Sequence, residues 1–391
     1  MADRDYYCNN KFKFLKIDLE KRLTYNCHAA APHRIDIEWL EKHPGEIFNT
    51  DVSVSERSMM LKNIRNSSCE QNCWRAEDVG AVGPRIIEKG YLRTHTEIRT
   101  QPEIVDLTIG SECNLTCSYC CGEFSSAWVN DLQKNGEYTG LNPTRYSIRP
   151  IDLVLRRNSQ PEKVNSKYYQ TILEEFGNLS KHVKKLIITG GEPFLNNYLF
   201  DILERTRDIP TVKLFCGLGV SKSRFEKIIE RLKDHPNIYL CVSIENTGKF
   251  YEFNRYGNQW SDVVDKINLI KDSGITMTTH STLGNLTIFG YPEFYRQFKD
   301  FGKNEFDLAH MPEFMPVSVI DPESKKQLID EITELDIPKS ELIIKSLQSE
   351  PTKEQHTQLK SFLSQFTARR SDLDINIFPK SFLEWINNDV V

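Results

Sequence analysis

The cysteines are the residues whose type and spacing most directly suggest chemistry in this chain. There are ten among 391 residues. Grouped cysteines in a reducing cytoplasm favour metal ligands or catalytic groups over a disulfide framework. Eight of the ten lie in the first third of the chain, and they are Cys8, Cys27, Cys69, Cys73, Cys113, Cys117, Cys120 and Cys121.

One group lies in the segment SECNLTCSYCC, where Cys113, Cys117 and Cys120 have the spacing C-x3-C-x2-C. A loop of this size can place three thiolates around one face of a [4Fe–4S] cluster and leave the fourth iron without a protein ligand. That open iron could bind a substrate or a cofactor. The alternative is a structural zinc site, which normally has four protein ligands and C-x2-C pairs. We interpret the neighbouring Cys121 as a small, semi-buried residue.

A second group lies further upstream. Cys8 and Cys27 flank a predicted hairpin over residues 12–26, and Cys69 and Cys73 lie in SSCEQNCWRAED. Four thiols are enough to close a [4Fe–4S] site, and a zinc ribbon-like site would use the same four ligands. Cys216 and Cys241 lie inside apolar predicted strands and are expected to be core residues. The isolated histidines His28, His33 and His280 are expected to have surface or core roles.

The elements that must position the three-cysteine loop follow a regular pattern. Short apolar runs alternate with longer amphipathic stretches from about residue 103, which indicates βαβ units and a parallel sheet. Six such units favour an open or partial barrel, with functional side chains in the loops at the C-terminal ends of the strands. The predicted strands cover 103–110, 184–191, 212–218, 238–244, 275–283 and 306–314.

Two further motifs, ITGGEP and VSIEN, each coincide with the end of a predicted strand. The glycines of the first let the backbone approach a ligand and take otherwise strained angles, and its carboxylate and carbonyl groups can accept from an ammonium group. Taken alone, each motif is more often a plain turn or a strand end with a solvated acid. Their candidate binding residues are Gly190, Gly191, Glu192, Pro193, Ser243, Glu245 and Asn246.

Together these segments resemble the radical S-adenosylmethionine (SAM) enzymes over about residues 103–315. The signature of that superfamily is C-x3-C-x-aromatic-C after the first strand of a partial (β/α)6 barrel. The resemblance implies that Tyr119 contacts the SAM adenine and that the GGE motif holds the SAM amino group. It also implies that Ser243 and Glu245 bind the ribose with help from Asn246, as a carboxylate does in nucleotide folds. The sequence singles out no Arg or Lys for the SAM carboxylate.

The segments CEQNCW, RYGNQW and HMPEF are also similar to the twitch (half-SPASM) domain-containing radical SAM proteins. In that group the cysteine-bearing segment often precedes the barrel. The spacing C-x3-C departs from the usual C-x2-C, which leaves the metal and the ligand set open. The ligands that the resemblance implies for an auxiliary [4Fe–4S] cluster are Cys8, Cys27, Cys69 and Cys73.

Three regions are expected in this α/β chain. Residues 1–95 form a twitch/SPASM-like auxiliary cluster domain, residues 96–318 the partial (β/α)6 barrel, and residues 319–391 a helical C-terminal extension. An aromatic and basic insertion over about 125–162 interrupts the barrel, as either a substrate-binding lid or a solvated loop.

Charge and hydropathy exclude several classes of protein. The net charge of −5, from 50 basic and 55 acidic residues, disfavours a protein held to nucleic acid by bulk electrostatics. No apolar run approaches the roughly 18 residues that a membrane span needs, and the first residues lack a signal-peptide core. We therefore expect a cytoplasmic protein.

The resemblance implies an enzyme that reductively cleaves SAM to methionine and a 5′-deoxyadenosyl radical, which abstracts hydrogen from a substrate. Relatives with auxiliary clusters commonly modify peptides, so a peptide or protein substrate is expected, with a nucleoside or small metabolite as the alternative. An external electron donor such as flavodoxin or ferredoxin is a further expected partner. A non-enzymatic iron–sulfur or zinc sensor is another alternative, although a sensor has no need of the GGEP and SIEN motifs.

Overall fold

The computed structural model describes residues 5–141, 143–147 and 167–388. Its strands are β1 (Phe14–Asp18), β2 (Leu23–Tyr25), β3 (His33–Arg34), β4 (Ile104–Thr108), β5 (Lys185–Thr189), β6 (Val212–Cys216), β7 (Ile238–Ser243), β8 (Thr276–Leu283) and β9 (Asn304–Leu308). They form one sheet in the order β3-β2-β1-β4-β5-β6-β7-β8-β9.

The six strands β4 to β9 confirm the predicted partial (β/α)6 fold. They follow one another in sequence order, and β4 with β5, β5 with β6 and β8 with β9 pair in parallel. Five of the six lie within the predicted segments. The sixth lies at Asn304–Leu308, two residues earlier than its predicted start, and it ends before Pro312, which cannot donate to a strand ladder.

The predicted N-terminal hairpin is also present, and it joins the same sheet. Strands β1 and β2 are antiparallel, whereas β1 pairs in parallel with β4 from Phe14 opposite Ile104 to Asp18 opposite Thr108. The hairpin therefore continues the sheet beyond β4.

Helices lie between most of the strands and make up the region after β9. The first eight are α1 (Asn10–Lys13), α2 (Ile37–Lys42), α3 (Asp51–Leu61), α4 (Arg75–Asp78), α5 (Pro84–Ile87), α6 (Ser126–Asn135), α7 (Pro143–Tyr146) and α8 (Lys167–Leu179). The others are α9 (Leu199–Arg205), α10 (Lys222–Leu232), α11 (Gly248–Asn254), α12 (Trp260–Ser273), α13 (Tyr291–Phe298), α14 (Pro322–Glu334), α15 (Ser340–Leu347), α16 (Lys353–Ala368) and α17 (Lys380–Asn387).

Helix ends follow local sequence signals. Ser221 accepts a hydrogen bond from the backbone N–H of Arg224 at the start of α10. Thr352 and Gln355 form a reciprocal capping box at the start of α16. None of the helices in the described part of the chain is both long and apolar enough to cross a membrane.

The chain divides into two compact units. Unit 1 comprises residues 1–110, 155–214 and 234–239, and unit 2 comprises residues 111–154, 215–233 and 240–391. The core of unit 1 includes alternate residues of β4 and β5, which are fully or almost fully buried as parallel strands require, and these are Val105, Leu107, Leu186 and Ile188.

Candidate active site and auxiliary thiol site

The three-cysteine loop belongs to unit 2, and side chains of its neighbours fix its backbone. The hydroxyl of Ser126 accepts from the N–H of Cys113 at 2.9 Å and donates to the carbonyl of the same residue at 2.8 Å. The indole N–H of Trp128 donates to the carbonyl of Cys117 at 3.0 Å, and the N–H of Cys120 donates to the same carbonyl. Because the loop has no regular hydrogen-bond ladder, these contacts determine where its three thiols lie.

The three thiols are close enough for their charges to repel one another. Burial is the main cause that raises the pKa of Cys117 to about 12, with Arg255 acting to lower it and Cys113 acting to raise it. Burial raises the pKa of Cys120 well above its usual range, and Cys117, Cys121 and Cys113 add to that increase. Three thiolates here therefore require a cationic centre to compensate their charge, which is what an iron–sulfur cluster provides.

Across the described ranges, no group of three or more His, Cys, Asp or Glu side chains is arranged to hold one metal ion.

A buried ion pair connects the cysteine loop to the end of β7. The side chain of Glu245 is 0 % exposed and accepts from Arg255 through Nε at 3.0 Å and through a terminal nitrogen at 2.7 Å. The hydroxyl of Tyr119 donates to the same carboxylate at 3.1 Å. The residue predicted to bind ribose is thus already held by two protein partners, and Tyr119 of the loop is one of them.

Arg255 was missed by sequence reasoning. It is 5 % exposed and its guanidinium lies 5.6 Å from the centre of the Tyr119 ring. The available signal was its position ten residues after Glu245, at the start of the RYGNQW segment. A carboxylate that is wholly buried needs a nearby cation, but the sequence does not show that Glu245 is buried.

Asn246, the other candidate in the VSIEN motif, is fully buried and its amide bonds within the protein. Its Nδ2 donates to the carbonyl of Thr287 at 2.7 Å, and its Oδ1 accepts from Asn254 at 3.0 Å. Asn254 in turn accepts from the hydroxyl of Ser118 in the cysteine loop at 2.7 Å. Asn246 therefore contributes to the support of the loop through Asn254.

Ser243 lies at the end of β7 on a half-buried face of the sheet. The N–H of Ile244 donates to the carbonyl of His280 at 3.0 Å, which aligns Ser243 with His280 on the neighbouring strand. His280, for which a surface or core role was expected, has its Nε2 3.0 Å from a carboxylate oxygen of Asp307 on β9. The ring of Phe215 is 5.5 Å from the His280 ring, so polar and aromatic groups share this face with Ser243.

The GGE motif lies in unit 1, directly after β5. Gly190 has a φ of +155°, and a Cβ atom there would lie 2.7 Å from the carbonyl oxygen of Gly110. The N–H of Gly191 donates to that same carbonyl at 2.8 Å. Glycine is therefore required at position 190 by both the backbone angle and the close approach of the strand end.

The acid of this motif has a local partner. Glu192 is 1 % exposed, and its Oε1 accepts from the N–H of Phe194 at 3.2 Å. It thereby caps the short helical turn Pro193–Leu195. Sequence reasoning assigned this carboxylate to an ammonium group and did not foresee the cap.

The four cysteines of the second group converge in unit 1. Cys8, Cys27, Cys69 and Cys73 line one cavity, and each is no more than 6 % exposed. Burial raises the pKa of all four, for Cys8 and Cys27 to about 12, and neighbouring thiols add to the increase at Cys8, Cys27 and Cys69. The sequence pattern predicted four thiols, and the fold brings together four that come from three separate segments.

Backbone N–H groups favour the charged form of three of these thiols and lower their pKa. They belong to Asn10 for Cys8, to Ala29 for Cys27 and to Arg85 for Cys73. Hydrogen bonds to sulfur are among the features that set the properties of iron–sulfur sites.

Local helical structure explains the C-x3-C spacing of the second pair. Cys69 ends a short 3₁₀ turn, and Cys73 lies in the π-helical segment Glu70–Trp74 that follows. Residues four apart on a helix share a face, so both thiols can point into the same cavity. Single π turns of this kind are frequent at functional sites.

Within unit 1, this thiol site and the GGE motif lie at opposite ends of the strands. Strand β2 runs antiparallel to β1, so Cys27 follows it at the end where β1 begins, and the ring of His28 is 5.4 Å from that of Phe14. The GGE motif contacts Gly110, just beyond the other end of β4. Five residues of strand separate the two ends by about 17 Å.

The described part of the insertion packs inside unit 2 and is not a solvated loop. Trp128, Tyr138 and Tyr146 are each no more than 5 % exposed, and Tyr138 and Tyr146 stack against Phe362 of α16. Residues 148–162 of the predicted insertion lie outside the described residues.

The C-terminal helices support the cysteine loop from the same side. Arg370, after α16, is 2 % exposed and donates to the hydroxyls of Thr116 and Tyr138, each at 3.3 Å. Asp131 of α6 balances its charge at 3.4 Å. Thr116 is the residue before Cys117, so the C-terminal region helps to fix the thiol loop.

Comparison with protein families identifies the central part of the chain. The model of the radical SAM superfamily matches residues 107–297. The chain carries a radical SAM domain. The matched region includes the three-cysteine loop, the GGE motif and the end of β7.

Several solved structures match the chain at low sequence identity. The match to anSMEcpe with bound AdoMet has 15 % identity and a TM-score of 0.34, and it covers 59 % of this chain and 59 % of that one, less than two thirds of its length. The match to Streptococcus suis SuiB bound to precursor peptide SuiA has 11 % identity and a TM-score of 0.35, and it covers 84 % of this chain and 69 % of that one. A comparison with curated proteins gives no match.

Proposed function

We propose that this enzyme reductively cleaves SAM and directs the resulting 5′-deoxyadenosyl radical at a hydrogen atom of a peptide or protein substrate. The observation that carries the proposal is the loop with three neighbouring cysteines, one buried and two half-buried, that lies inside the radical SAM domain. Their ionised forms would repel one another, so a cationic cluster fits them as a ligand set.

Each motif of the domain then has a defined task. Cys113, Cys117 and Cys120 hold a [4Fe–4S] cluster, which supplies when bound the electron that cleaves SAM. Gly190 and Gly191 present backbone to the SAM amino group, and the acid and proline that follow them, Glu192 and Pro193, fix the turn that does so.

The residues around the Glu245 ion pair bind the ribose and adenine groups of SAM. Ser243 offers a hydroxyl on the half-buried face of the sheet, and Tyr119 offers an aromatic ring beside the carboxylate. Because Glu245 accepts two hydrogen bonds from Arg255, its carboxylate is oriented before SAM binds. Asn246 supports this arrangement from behind, through Asn254.

The second group of cysteines is the proposed auxiliary [4Fe–4S] site. Four thiols close a cubane and leave no open iron. The backbone donors at three of the sulfurs and the shared cavity support a site built for thiolates. Its position at the N-terminal ends of the strands favours electron transfer or structural support over contact with substrate, because barrel enzymes bind substrates at the opposite ends.

A peptide substrate is proposed because radical SAM enzymes with auxiliary clusters commonly modify peptides. The test supplies reconstituted protein with dithionite, SAM and either a pool of deuterated peptides or a pool of deuterated nucleosides. Deuterium in the 5′-deoxyadenosine released from the peptide pool supports the proposal. Deuterium from the nucleoside pool alone would reassign the substrate class.

Iron content tests the auxiliary site separately. Anaerobically reconstituted protein should hold about eight iron atoms per chain, about four for each cluster. The Cys69→Ala/Cys73→Ala variant should lose about half of them and still cleave SAM, whereas Cys216→Ala, which removes a buried thiol from β6, should lose none. Stoichiometric zinc, or iron unchanged in the double variant, would contradict an auxiliary cluster.

A further inference from the structure

Two buried cations, Lys11 and Arg85, line the cavity formed by the second group of cysteines, and Arg85 is paired with Glu77. Lys11 of α1 is 0 % exposed and has its Nζ 2.6 Å from Glu56 Oε2 and 2.8 Å from the hydroxyl of Ser68. That hydroxyl oxygen lies 4.0 Å from the sulfur of Cys69. The ammonium group of Lys11 therefore lies at the wall of the cavity that the four sulfurs line.

The ion pair with Glu56 does not by itself explain why a lysine is buried at this position. The Glu56 carboxylate is 12 % exposed and also accepts from Asn26 at 2.9 Å, so it has another partner. Replacing a buried ion pair by apolar residues of similar volume is often neutral or stabilising. The proximity of the thiols gives the cation a role that apolar residues could not fill.

The charge of the proposed centre supplies that role. Four thiolates carry more negative charge than a cluster core carries positive charge, so the ligated centre is an anion and becomes more negative when it is reduced. Net charge and hydrogen bonds to sulfur are main determinants of the potential of such centres. An ammonium group has three N–H donors, and Glu56 and Ser68 account for two of those on Lys11.

We propose that Lys11 is a counter-ion of the auxiliary centre and raises its reduction potential by stabilising the reduced form. The carboxylate of Glu56 partly neutralises Lys11 and so limits this increase. This inference rests on the proposed auxiliary cluster. It assigns Lys11 as a positioning and charge-tuning residue that does not touch substrate.

The test isolates the auxiliary centre in the full-length Cys113→Ala/Cys117→Ala/Cys120→Ala variant, whose remaining iron belongs to that centre. Its midpoint potential is measured by a redox titration followed by electron paramagnetic resonance. In this background Lys11→Met should lower the potential. Lys13→Met is the matched control, since it removes the same charge two residues away from a half-exposed position, and it should leave the potential nearly unchanged.

A second variant tests the proposal by a change of the reduction potential in the opposite direction. Glu56→Gln keeps Lys11 and removes the carboxylate that neutralises it, so it should raise the potential. This variant keeps the proposal falsifiable if Lys11→Met does not fold.

The possible results separate this inference from the site on which it rests. A bound cluster whose potential responds equally to Lys11→Met and Lys13→Met, or does not rise in Glu56→Gln, overturns the role of Lys11 and leaves the auxiliary cluster in place. A triple variant that holds no iron, or holds zinc, removes both the auxiliary cluster and the inference.

Discussion

Removing Arg255 should destabilise the protein far more than removing an exposed arginine. In Arg255→Leu the Glu245 carboxylate, which is 0 % exposed, loses both of its charge-assisted hydrogen bonds and remains buried with only the Tyr119 hydroxyl. Breaking a buried pair by removing one partner costs about 3–5 kcal/mol, because the remaining charge is uncompensated. We expect the free energy of unfolding to fall by that amount.

The assay is urea unfolding of the metal-free protein, monitored by circular dichroism. Free energies of unfolding are compared with a common m value, the slope of the free energy against urea concentration. Arg296→Leu is the control, because Arg296 is 44 % exposed and pairs with carboxylates at the surface. An exposed pair of this kind contributes about 0–1 kcal/mol.

The double variant Glu245→Leu/Arg255→Leu isolates the cause. It leaves no buried charge, so it should recover a large part of the lost stability. If Arg255→Leu costs no more than the Arg296→Leu control, or if the double variant is less stable than Arg255→Leu, the reasoning about this ion pair is refuted.

Three other expectations follow from single contacts. Gly190→Ala would place a Cβ 2.7 Å from a backbone carbonyl oxygen, so the SAM affinity measured by calorimetry should drop. Gly177→Ala is the control and should leave the affinity unchanged, because a Cβ at that position meets no atom within 4 Å. Equal affinities of the two variants would exclude a special role for position 190. Trp128→Ala should cost about 3–5 kcal/mol of unfolding free energy and weaken iron retention by the adjoining loop; unchanged stability would show that the indole does not support it. Because burial raises the pKa of Cys8 and Cys27 from 9.0 to about 12, the metal-free protein should be most stable below pH 9 and lose stability as the pH rises towards 12, since the unfolded chain ionises first. The iron-loaded protein, whose thiols are already deprotonated, should lack this dependence in a thermal melt, and equal pH profiles for both forms would contradict it.

The barrel strands could be predicted because each is short, apolar and followed by a polar turn motif. Buried parallel strands can be recognised from short apolar runs in the sequence. Examples are the buried residues Val105 and Leu107 of β4 and Leu186 and Ile188 of β5. The three-cysteine loop was found for a related reason, since its chemistry requires ligands close together in sequence.

Contacts between distant segments could not be predicted. The parallel pairing of β1 with β4 joins residues about 90 positions apart, and no local pattern encodes it. Arg255 was missed for the same reason, because its role depends on how deeply Glu245 is buried. The pairing of His280 with Asp307 likewise depends on the register of β8 against β9.

The second cysteine group could be predicted only in part. Its four residues could be named from their number and spacing, but nothing in the sequence located them at the N-terminal ends of the strands. That position follows from the antiparallel turn between β1 and β2, which returns Cys27 to the end where β1 begins. Lys11 could be recognised only after the cavity was seen.

The most direct test of the central claim is the release of 5′-deoxyadenosine from SAM by anaerobically reconstituted protein with dithionite, measured by mass spectrometry. The wild-type protein should release it, and the Cys113→Ala/Cys117→Ala/Cys120→Ala variant should release none while retaining its fold and its auxiliary iron. Undiminished 5′-deoxyadenosine from the triple variant, or none from the iron-loaded wild type, would contradict the assignment of this loop as the centre of SAM cleavage.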